Sequence, residues 1–357
     1  MKLVYDNIVF GIQRFGGISV VWQELLSRIA NHIQDIEYID IDQSQNYSRS
    51  KLDIPAGSII QHIRHPKVSR YMPVRMHGDE PFLFHSSYYR YCTNRNAINI
   101  TTVHDFTYEL YNSGLRQKVH TWQKNAAIRH SDAVVCISEN TKRDLLRLLP
   151  DVDEAKVHVI YNGVSDTFCQ LHEPAEAAQL PFPENSYVVF IGRRDSYKNF
   201  DYVVRSVAAT PLNLLIIGSQ LNEAERKDIE LHLSPKRYQC LSHIPDERLN
   251  QLYNHAAALV YPSSYEGFGL PVLEAQRANC PVIALKASSI PEVIGATPLL
   301  MTELSDAELI SKLQLLDNQD LMQQVKKEGL TNARRFSWQE MASQYEELYQ
   351  GLYTNGL

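Results

Sequence analysis

The sequence has no excess of basic residues, no paired-cysteine motif and no long apolar run, and each absence excludes a class of protein. Its 357 residues carry 35 Lys and Arg against 41 Asp and Glu, a formal charge of −6. That balance excludes a general nucleic-acid binder, whose affinity comes from neutralising phosphates. The five cysteines include no Cys-x-x-Cys pair, which is typical of reduced thiols in a cytosol. No stretch approaches about 20 uninterrupted apolar residues, so we expect neither an export signal nor a membrane span.

The sequence does contain a recurring series of short apolar runs, each followed by a turn and a helical pattern. The runs are KLVYDNIVF, PFLFHSS, AINITTVHD, DAVVCIS and KVHVIYNG, and later YVVFIGR, NLLIIGS, AALVYPSS and CPVIAL. Runs without strict alternation are typical of strands buried on both faces, and residues 20–33, 118–130 and 139–149 have the spacing of helices that pack on a sheet. The fold class is therefore α/β with parallel sheets.

The series runs twice, and a Pro- and Glu-rich connection lies between the two halves. This arrangement and the chain length predict two doubly wound domains, residues 1–167 and 168–339. Residues 340–357 have the spacing of an amphipathic helix, which we expect to pack back on the first domain. The alternative is a terminal helix that covers the domain it follows. Such sheets bind ligands beyond the carboxyl ends of their strands, so candidate sites should lie there, facing a cleft between the domains.

The stretch SSYEGFGLPVLEAQ, residues 263–276, predicts an anion site. A strand pattern leads through a polar turn into a helix pattern, in which Pro271 suits a first-turn position. Backbone N–H groups there would lie at a helix N-terminus, where unpaired donors and the helix dipole favour an anion. The turn has only Gly-x-Gly and lacks the third glycine of the dinucleotide fingerprint, so a nicotinamide site is poorly supported. The residues assigned to the phosphate contact are Gly267, Phe268, Gly269 and Leu270.

Two glutamates bracket this turn. Glu274 falls about one helical turn inside the helix, where it can accept hydrogen bonds from sugar hydroxyls such as those of a ribose. Glu266 precedes the helix and would repel a diphosphate, so it suits a neutral or cation-like part of the ligand, such as a sugar ring. The alternatives are a solvated glutamate at Glu274 and a turn residue at Glu266.

Basic residues follow another strand pattern in VVFIGRRDSYKN. Arg193, Arg194 and Lys198 come after Gly192, just past the strand end. Cations that converge on a strand end can neutralise a leaving diphosphate, whose charge grows in the transition state. The alternative is a basic surface loop.

The first half of the chain adds three weaker features. Gly16 and Gly17 stand between a strand pattern and a helix pattern, where they can offer backbone donors to the ligand or form only a flexible turn. His104 ends a strand pattern and can hydrogen-bond a sugar hydroxyl, move a proton, or act as a structural hydrogen-bonding residue. Asp40 and Asp42 have no companion His or carboxylate nearby, so we expect no metal site.

The segment from residue 54 to residue 78 contains no acidic residue. In a chain of negative net charge, it is a candidate surface for an anionic membrane or a lipid-phosphate acceptor. The alternative is a basic loop without a partner. Its cationic and titratable residues are Arg64, Lys67, Arg70 and Arg75 with His62, His65 and His77.

Taken together, these motifs resemble the retaining GT-B glycosyltransferases of family 4. Seven residues lie between Glu266 and Glu274, and this spacing matches the signature of that family. Further matches are FIGRRDSYKN, VIYNGV, CISENTKRDL, TVHDFTYE and RFGGIS. The resemblance spans nearly the whole chain and implies two Rossmann-like domains that face each other across a cleft. One departure is Asn279, where relatives usually have Gly, and Asn can keep the left-handed turn.

The resemblance implies roles for these residues. Arg193 and Lys198 would bind the donor diphosphate, and Glu274 the ribose. Glu266 would lie beside the transferred sugar and His104 would contact the hydroxyls of that sugar. Metal ions and other cofactors would not be required. The catalytic residues implied are Glu266, His104, Arg193 and Lys198, and the donor-binding residues are Gly16, Gly17, Gly192, Arg194, Gly218, His243, Ile244, Gly267, Phe268, Gly269, Leu270 and Glu274.

The function implied by the resemblance is sugar transfer from a nucleotide diphosphate to a glycan or a polyprenyl-diphosphate-linked acceptor, with retained configuration. The pathway implied is the synthesis of O-antigen, capsule or exopolysaccharide, in the cytoplasm or at the inner face of the plasma membrane. Two alternatives stay open, a non-catalytic subunit that binds a nucleotide sugar, and a GT-B epimerase or phosphorylase. We expect base and sugar selectivity to depend on residues around Gly218 and 241–244.

Overall fold

The computed structural model describes residues 1–30, 33–42, 44–172 and 179–355. They fold as two compact units, the first formed by Met1–Gly163 together with Ser337–Leu357, and the second by Val164–Phe336. The domain boundaries predicted from the sequence, after residues 167 and 339, lie a few residues later than the boundaries of these units. We describe each unit in turn.

Seven strands in the described part of the first unit form one parallel sheet. They are β1 (Leu3–Asp6), β2 (Ile36–Ile41), β3 (Ile59–Ile63), β4 (Phe82–Ser86), β5 (Ala97–Val103), β6 (Ala133–Cys136) and β7 (Val157–Val159). Their order is β3-β2-β1-β4-β5-β6-β7. Because the order reverses between β1 and β4, the carboxyl ends of these two strands flank the topological switch point, where sheets of this kind bind ligands.

Helices cover the faces of this sheet, and the predicted helical segments fall on three of them. They are α1 (Val9–Ile12), α2 (Gly17–Ile29), α3 (Pro66–Ser69), α4 (Thr107–Tyr111), α5 (Leu115–Arg129) and α6 (Glu139–Leu148). The prediction of a helix over 20–33 is shifted, because α2 already begins at Gly17, and residues 31–32 lie outside the described residues. At α6 the hydroxyl of Ser138 accepts the N–H of Thr141, a side-chain cap that fixes the start of the helix.

The C-terminal helix of the first unit, α7 (Trp338–Asn355), packs on the sheet through a buried polar network. The hydroxyl of Tyr349 lies 2.6 Å from Nδ1 of His85, and Nε2 of His85 lies 2.9 Å from the hydroxyl of Thr102. Tyr345 bonds the same threonine at 2.9 Å. Burial lowers the pKa of His85 to about 3, so the imidazole stays neutral. This network holds the helix in one register, since a slip would leave buried polar groups unpaired.

Six strands in the described part of the second unit form another parallel sheet. They are β8 (Tyr187–Ile191), β9 (Asn213–Ile217), β10 (Tyr238–Leu241), β11 (Ala258–Tyr261), β12 (Val282–Leu285) and β13 (Leu300–Met301). Their order is β10-β9-β8-β11-β12-β13, so the switch point lies between β8 and β11. The α/β prediction with two parallel sheets is confirmed in both units.

The second unit contains seven α-helices within the described residues, labelled αA to αG in chain order. They are αA (Phe200–Ala208), αB (Glu223–Glu230), αC (Asp246–Asn254), αD (Leu270–Arg277), αE (Ile290–Ile294), αF (Asp306–Gln314) and αG (Gln319–Ala333). On one face of the sheet the core consists of aliphatic and aromatic side chains such as Val188, Phe190 and Val260. The residues that alternate with them on the strands, such as Val189 and Leu259, are buried as well. Continuous apolar strands of this kind are those that parallel sheets require.

Candidate active site

The switch point of the second sheet carries the two motifs that the sequence singled out. Residues 192–198 follow β8 and residues 262–269 follow β11, and the two strands are neighbours in the sheet. The carboxyl ends of adjacent parallel strands open on the same edge, so the two loops meet there. A backbone hydrogen bond joins the two loops, since the N–H of Ser264 donates to the carbonyl oxygen of Tyr197 at 2.8 Å.

The Gly-Phe-Gly turn leads directly into αD, as predicted. Gly269 precedes the helix with φ 106°, and a Cβ atom there would lie 2.8 Å from Cδ1 of Ile290. The left-handed backbone at this position therefore favours glycine. Within the described residues, the N–H groups of Gly269 and Leu270 donate no hydrogen bond to the protein. Such N–H groups at the start of a helix can bind an anion.

Two serines hold the turn in shape. Ser288 accepts the N–H of Glu266 at 2.8 Å. The hydroxyl of Ser289 lies 2.9 Å from the carbonyl oxygens of both Glu266 and Phe268. Sequence reasoning missed both residues, although the run ASSIPEV, small polar residues before a proline-started helix, was a signal that could have found them.

Glu266 forms an ion pair with Lys198. The two side chains keep only 13% and 11% of their exposure, and Nζ of Lys198 also lies 3.4 Å from the hydroxyl of Tyr261. Tyr261 hydrogen-bonds Glu266, and burial together with this carboxylate raises the pKa of the tyrosine well above its ordinary value. A pair this buried holds each charge in place, and removing one partner would cost about 3–5 kcal/mol.

Each of the other two cations pairs with a carboxylate other than Glu266, and their predicted contact with a diphosphate stays a prediction. Arg194 is 5% exposed and pairs with both oxygens of Glu225, at 2.7 and 3.0 Å, while its other nitrogens reach the backbone at Ser219. These bonds occupy the guanidinium, so Arg194 braces the loop. Arg193 is 82% exposed, and its only ion-pair partner among the described residues is Asp195 at 3.1 Å.

Glu274 lies on αD, five residues into the helix, and is partly exposed. Burial, with the charge of Asp246 adding to it, raises its pKa to about 8. The hydroxyl of Tyr253, on αC, is buried and has no hydrogen-bond partner within the described chain. Glu274 also raises the pKa of this tyrosine, after burial. A carboxyl group whose pKa is raised this far by burial costs stability when it is charged. Together with a buried hydroxyl that has no partner, it is characteristic of a ligand site.

The remaining predicted donor residues line the neighbouring strand ends. Gly192 has φ 120°, and a Cβ atom on Gly218 would lie 2.5 Å from the carbonyl oxygen of Gly192. Gly218 therefore lets the loops after β8 and β9 approach closely, and Gly192 supplies the left-handed backbone of the first loop. His243 has φ 53° and is exposed, and Ile244 beside it is half-buried. All four residues lie in loops at the carboxyl edge of the sheet, after β8, β9 and β10.

In the first unit, His104 directly follows β5 and is buried. Burial, opposed by the charge of Asp105 and aided by that of Lys124, lowers its pKa to about 4, so the imidazole is neutral. Gly16 caps α2 in an extended conformation, and Gly17 begins that helix. The pair lies between β1 and α2, as the sequence indicates, and the short helix α1 comes between β1 and the pair.

The Asp-x-Asp pattern has a structural role in the first unit. Asp40 is buried, receives two hydrogen bonds from Arg49 at 2.8 and 2.6 Å, and accepts a third from Asn7. Among the described residues no three His, Cys, Asp or Glu side chains are grouped so that they could hold a metal ion. In the same residues, no helix is both long and apolar enough to cross a bilayer.

Comparison with known proteins agrees with this geometry. The family described as "Glycosyltransferase Family 4" matches residues 15–168, and "Glycosyl transferases group 1" matches residues 173–349. The O-antigen chain mannosyltransferase B of Escherichia coli is 26% identical, over 98% of this chain and 99% of its own.

Solved structures share the fold over the full length. The HepE protein of Anabaena, solved with UDP-glucose, superposes with a TM-score of 0.76 at 15% identity, over 99% of this chain and 100% of its own. WaaG, described as a glycosyltransferase of lipopolysaccharide biosynthesis, superposes with a TM-score of 0.71 at 13% identity, over 98% and 100%. At such identities the likeness establishes the fold.

Proposed function

The chain belongs to the GT-B glycosyltransferases of family 4 type, and from this premise we propose that it transfers a sugar from a nucleotide diphosphate to a glycan or lipid-linked acceptor with retained configuration. In the reaction the bond from the anomeric carbon to the diphosphate oxygen breaks, and a bond to the acceptor oxygen forms on the same face. The hydroxyl proton of the acceptor leaves with the diphosphate or to solvent. The observation that carries the proposal is the Lys198–Glu266 pair beside the N-terminus of αD, with Glu274 one turn further along.

This arrangement supports a division of the donor among the charged groups. The N–H groups of Gly269 and Leu270 and the cation of Lys198 suit the diphosphate, and the exposed Arg193 can reach it by leaving Asp195. Glu266 is held beside Lys198, which suits a carboxylate that faces the transferred sugar next to the diphosphate. Glu274 then serves the ribose. Lys198 can exchange Glu266 for the diphosphate when the donor binds.

The first unit contributes neutral groups in this proposal. Neutral His104 can donate or accept a hydrogen bond at a hydroxyl of the transferred sugar without adding charge. The helix start at Gly16 and Gly17 offers backbone N–H groups at the end of a 13-residue helix. Lys198 and Arg193 balance the charge of the leaving diphosphate, so we propose that the reaction requires no metal ion.

The basic segment 54–78 supports a peripheral contact with an anionic membrane at the inner face of the plasma membrane. Its exposed residues mix apolar side chains with cations, and Val68 and Met72 are 63% and 57% exposed. Lys67 and Arg75 lie on the same exposed stretch. This combination favours anionic lipid, since apolar side chains enter the interface while cations meet the headgroups. The O-antigen relative supports a role in surface-polysaccharide synthesis.

A thermal-shift screen with UDP, GDP, ADP, CMP and dTDP tests the donor class. One nucleotide should raise the melting temperature, because a ligand that binds only the folded state stabilises it. The same nucleotide should then be released from its sugar conjugate when an acceptor is added. Stabilisation without release from any donor would favour a binding subunit, and isomerisation of the donor would favour an epimerase. We expect the responding base to be read by the loops that contain Gly218, His243 and Ile244.

A further inference from the structure

A cluster of aromatic and cationic side chains lies beside His104 in the first unit. Tyr88 comes two residues after β4, and His104 follows β5, the next strand in the sheet. The carboxyl ends of these strands therefore place both residues at the ligand-binding edge. Arg70, at the end of α3, and His120, on α5, complete the cluster.

Arg70 lies against two tyrosines, hydrogen-bonds one of them, Tyr88, and has no carboxylate partner among the described residues. Its guanidinium carbon lies 4.5 Å from the ring centre of Tyr88 and 5.0 Å from that of Tyr71. In the part of the chain that the structure describes, Arg70 makes no ion pair, and its buried Nε has no hydrogen-bond partner. Gln123 donates to the carbonyl oxygen of Arg70 and so ties the residue to α5.

The neighbouring cation, Lys124, has a carboxylate partner, whereas Arg70 has none among the described residues. Nζ of Lys124 lies 2.8 Å from Oε2 of Glu109 and 2.8 Å from the carbonyl oxygen of Asp105. Lys124 is therefore used to fix the loop after β5 against α5. Arg70 instead has an unpaired Nε in a planar donor set that matches the oxygens of a phosphate. Its contacts with the two tyrosine rings help to hold it in position.

A rigid aromatic surface connects Arg70 with the surroundings of His104. The hydroxyl of Tyr88 lies 2.9 Å from Nε2 of His120, and the ring of His120 stacks on Tyr108 with centres 4.0 Å apart and an angle of 19°. Tyr108 keeps 42% of its exposure. An exposed aromatic ring backed by another ring is a suitable surface for a sugar, whose ring packs on it while its hydroxyls stay in water.

We propose that Arg70 binds a phosphate group of the acceptor, so that the acceptor is a sugar carried on a phosphate or diphosphate and its sugar packs on Tyr108. The proposal rests on the proposed function, because it takes His104 as the place of the transferred sugar. In this proposal Arg70 selects the acceptor, and the roles proposed for the donor-binding residues of the second unit stay the same.

Two soluble acceptors that share the same terminal sugar test this assignment. One carries the sugar on a short-chain alkyl diphosphate and the other is the corresponding alkyl glycoside. The wild-type protein should prefer the diphosphate in kcat/KM by about 10-fold or more, the worth of charge-assisted hydrogen bonds to a phosphate. Arg70→Gln should reduce this preference to near one, chiefly by raising KM for the diphosphate, whereas Arg116→Gln, at an exposed arginine on α5, should keep it.

Each other outcome has a defined meaning. An unchanged preference in Arg70→Gln, or equal losses with both acceptors, would overturn the proposal, since a structural role would affect both acceptors alike. Arg70→Lys should restore part of the preference, because a point charge replaces a planar one. Wild-type protein that transfers sugar to neither acceptor would instead contradict the proposed function itself.

The phosphate of a membrane lipid is the other source of the same chemistry, and vesicles separate the two. At a saturating donor concentration, which protects the donor site, inorganic diphosphate should compete with the diphosphate acceptor in wild-type protein and much less in Arg70→Gln. Sedimentation with vesicles of phosphatidylglycerol should be the same for wild type and Arg70→Gln. Loss of vesicle binding with an unchanged acceptor preference would assign Arg70 to the lipid headgroup and overturn the proposal.

Discussion

Replacing Glu274 by glutamine should stabilise the protein at pH 8 and leave it nearly unchanged at pH 5. Burial, with Asp246 adding to it, raises the pKa of Glu274 from 4.5 to about 8 in the folded protein. The unfolded chain releases this proton above about pH 4.5, whereas the folded protein keeps it. The folded protein therefore loses stability as pH rises from 4.5 to 8, and a neutral glutamine removes that loss.

The magnitude follows from the size of the pKa difference. Between pH 5 and pH 8 the linkage amounts to about 3 kcal/mol, and the partial exposure of the side chain reduces this to about 2 kcal/mol. For a unit of this size, about 2 kcal/mol corresponds to a rise in melting temperature of roughly 4–8 °C. Thermal unfolding of Glu274→Gln and wild type at both pH values, without nucleotide, measures it.

An exposed glutamate supplies the control. Glu247 lies on the surface of αC, so Glu247→Gln should change the melting temperature little, and equally at both pH values. A gain for Glu274→Gln of the same size at pH 5 and pH 8, or a loss at pH 8, would refute the view that the Glu274 carboxyl is buried at a cost in stability.

Three further predictions concern the rest of the structure. Gly218→Ala would bring a Cβ atom to 2.5 Å from the carbonyl oxygen of Gly192 and would displace the two loops. The KM for the donor should therefore rise about 10-fold or more. An unchanged KM would contradict a role of these loops in donor binding. Tyr349→Phe removes the hydroxyl that bonds His85 at 2.6 Å and should lower the free energy of unfolding by about 1–3 kcal/mol in urea titrations with kcat and KM unaltered. Because burial lowers the pKa of His104 to about 4, its protonation should affect kcat/KM only in acid, and a pH–rate inflection near pH 6.5 that disappears in His104→Gln would contradict a neutral imidazole.

Much of the fold could be predicted from the sequence because parallel strands buried on both faces leave uninterrupted apolar runs. The runs at β6 and β11 show this, since all four residues of each strand are buried. The left-handed turn at Asn279 is also confirmed, with φ 58°. Helix starts were less predictable. α2 begins at Gly17, a residue that composition alone assigns to a turn, because the following residues pack on the sheet.

The site was only partly predictable, since sequence shows which residues follow a strand but not which partners they meet. Arg193, Arg194 and Lys198 are close in sequence, yet each has a different carboxylate partner, two of them from distant segments. Ser289, which supports the Gly-Phe-Gly turn, comes from the loop after β12, 20 or more residues further along the chain. Such contacts depend on tertiary structure and leave no local pattern.

The central claim, retaining transfer from a nucleotide sugar, is tested most directly by the stereochemistry of the product. The donor chosen by the thermal-shift screen is incubated with an acceptor, and proton NMR gives the configuration at the anomeric carbon of the new linkage. We predict that an α-configured donor gives an α-linked product with one nucleotide diphosphate released per linkage. Glu266→Gln should abolish this transfer and keep the nucleotide affinity, whereas Arg193→Gln should lower that affinity, both by calorimetry. A β-linked product, or no transfer with any donor and acceptor, would contradict the account.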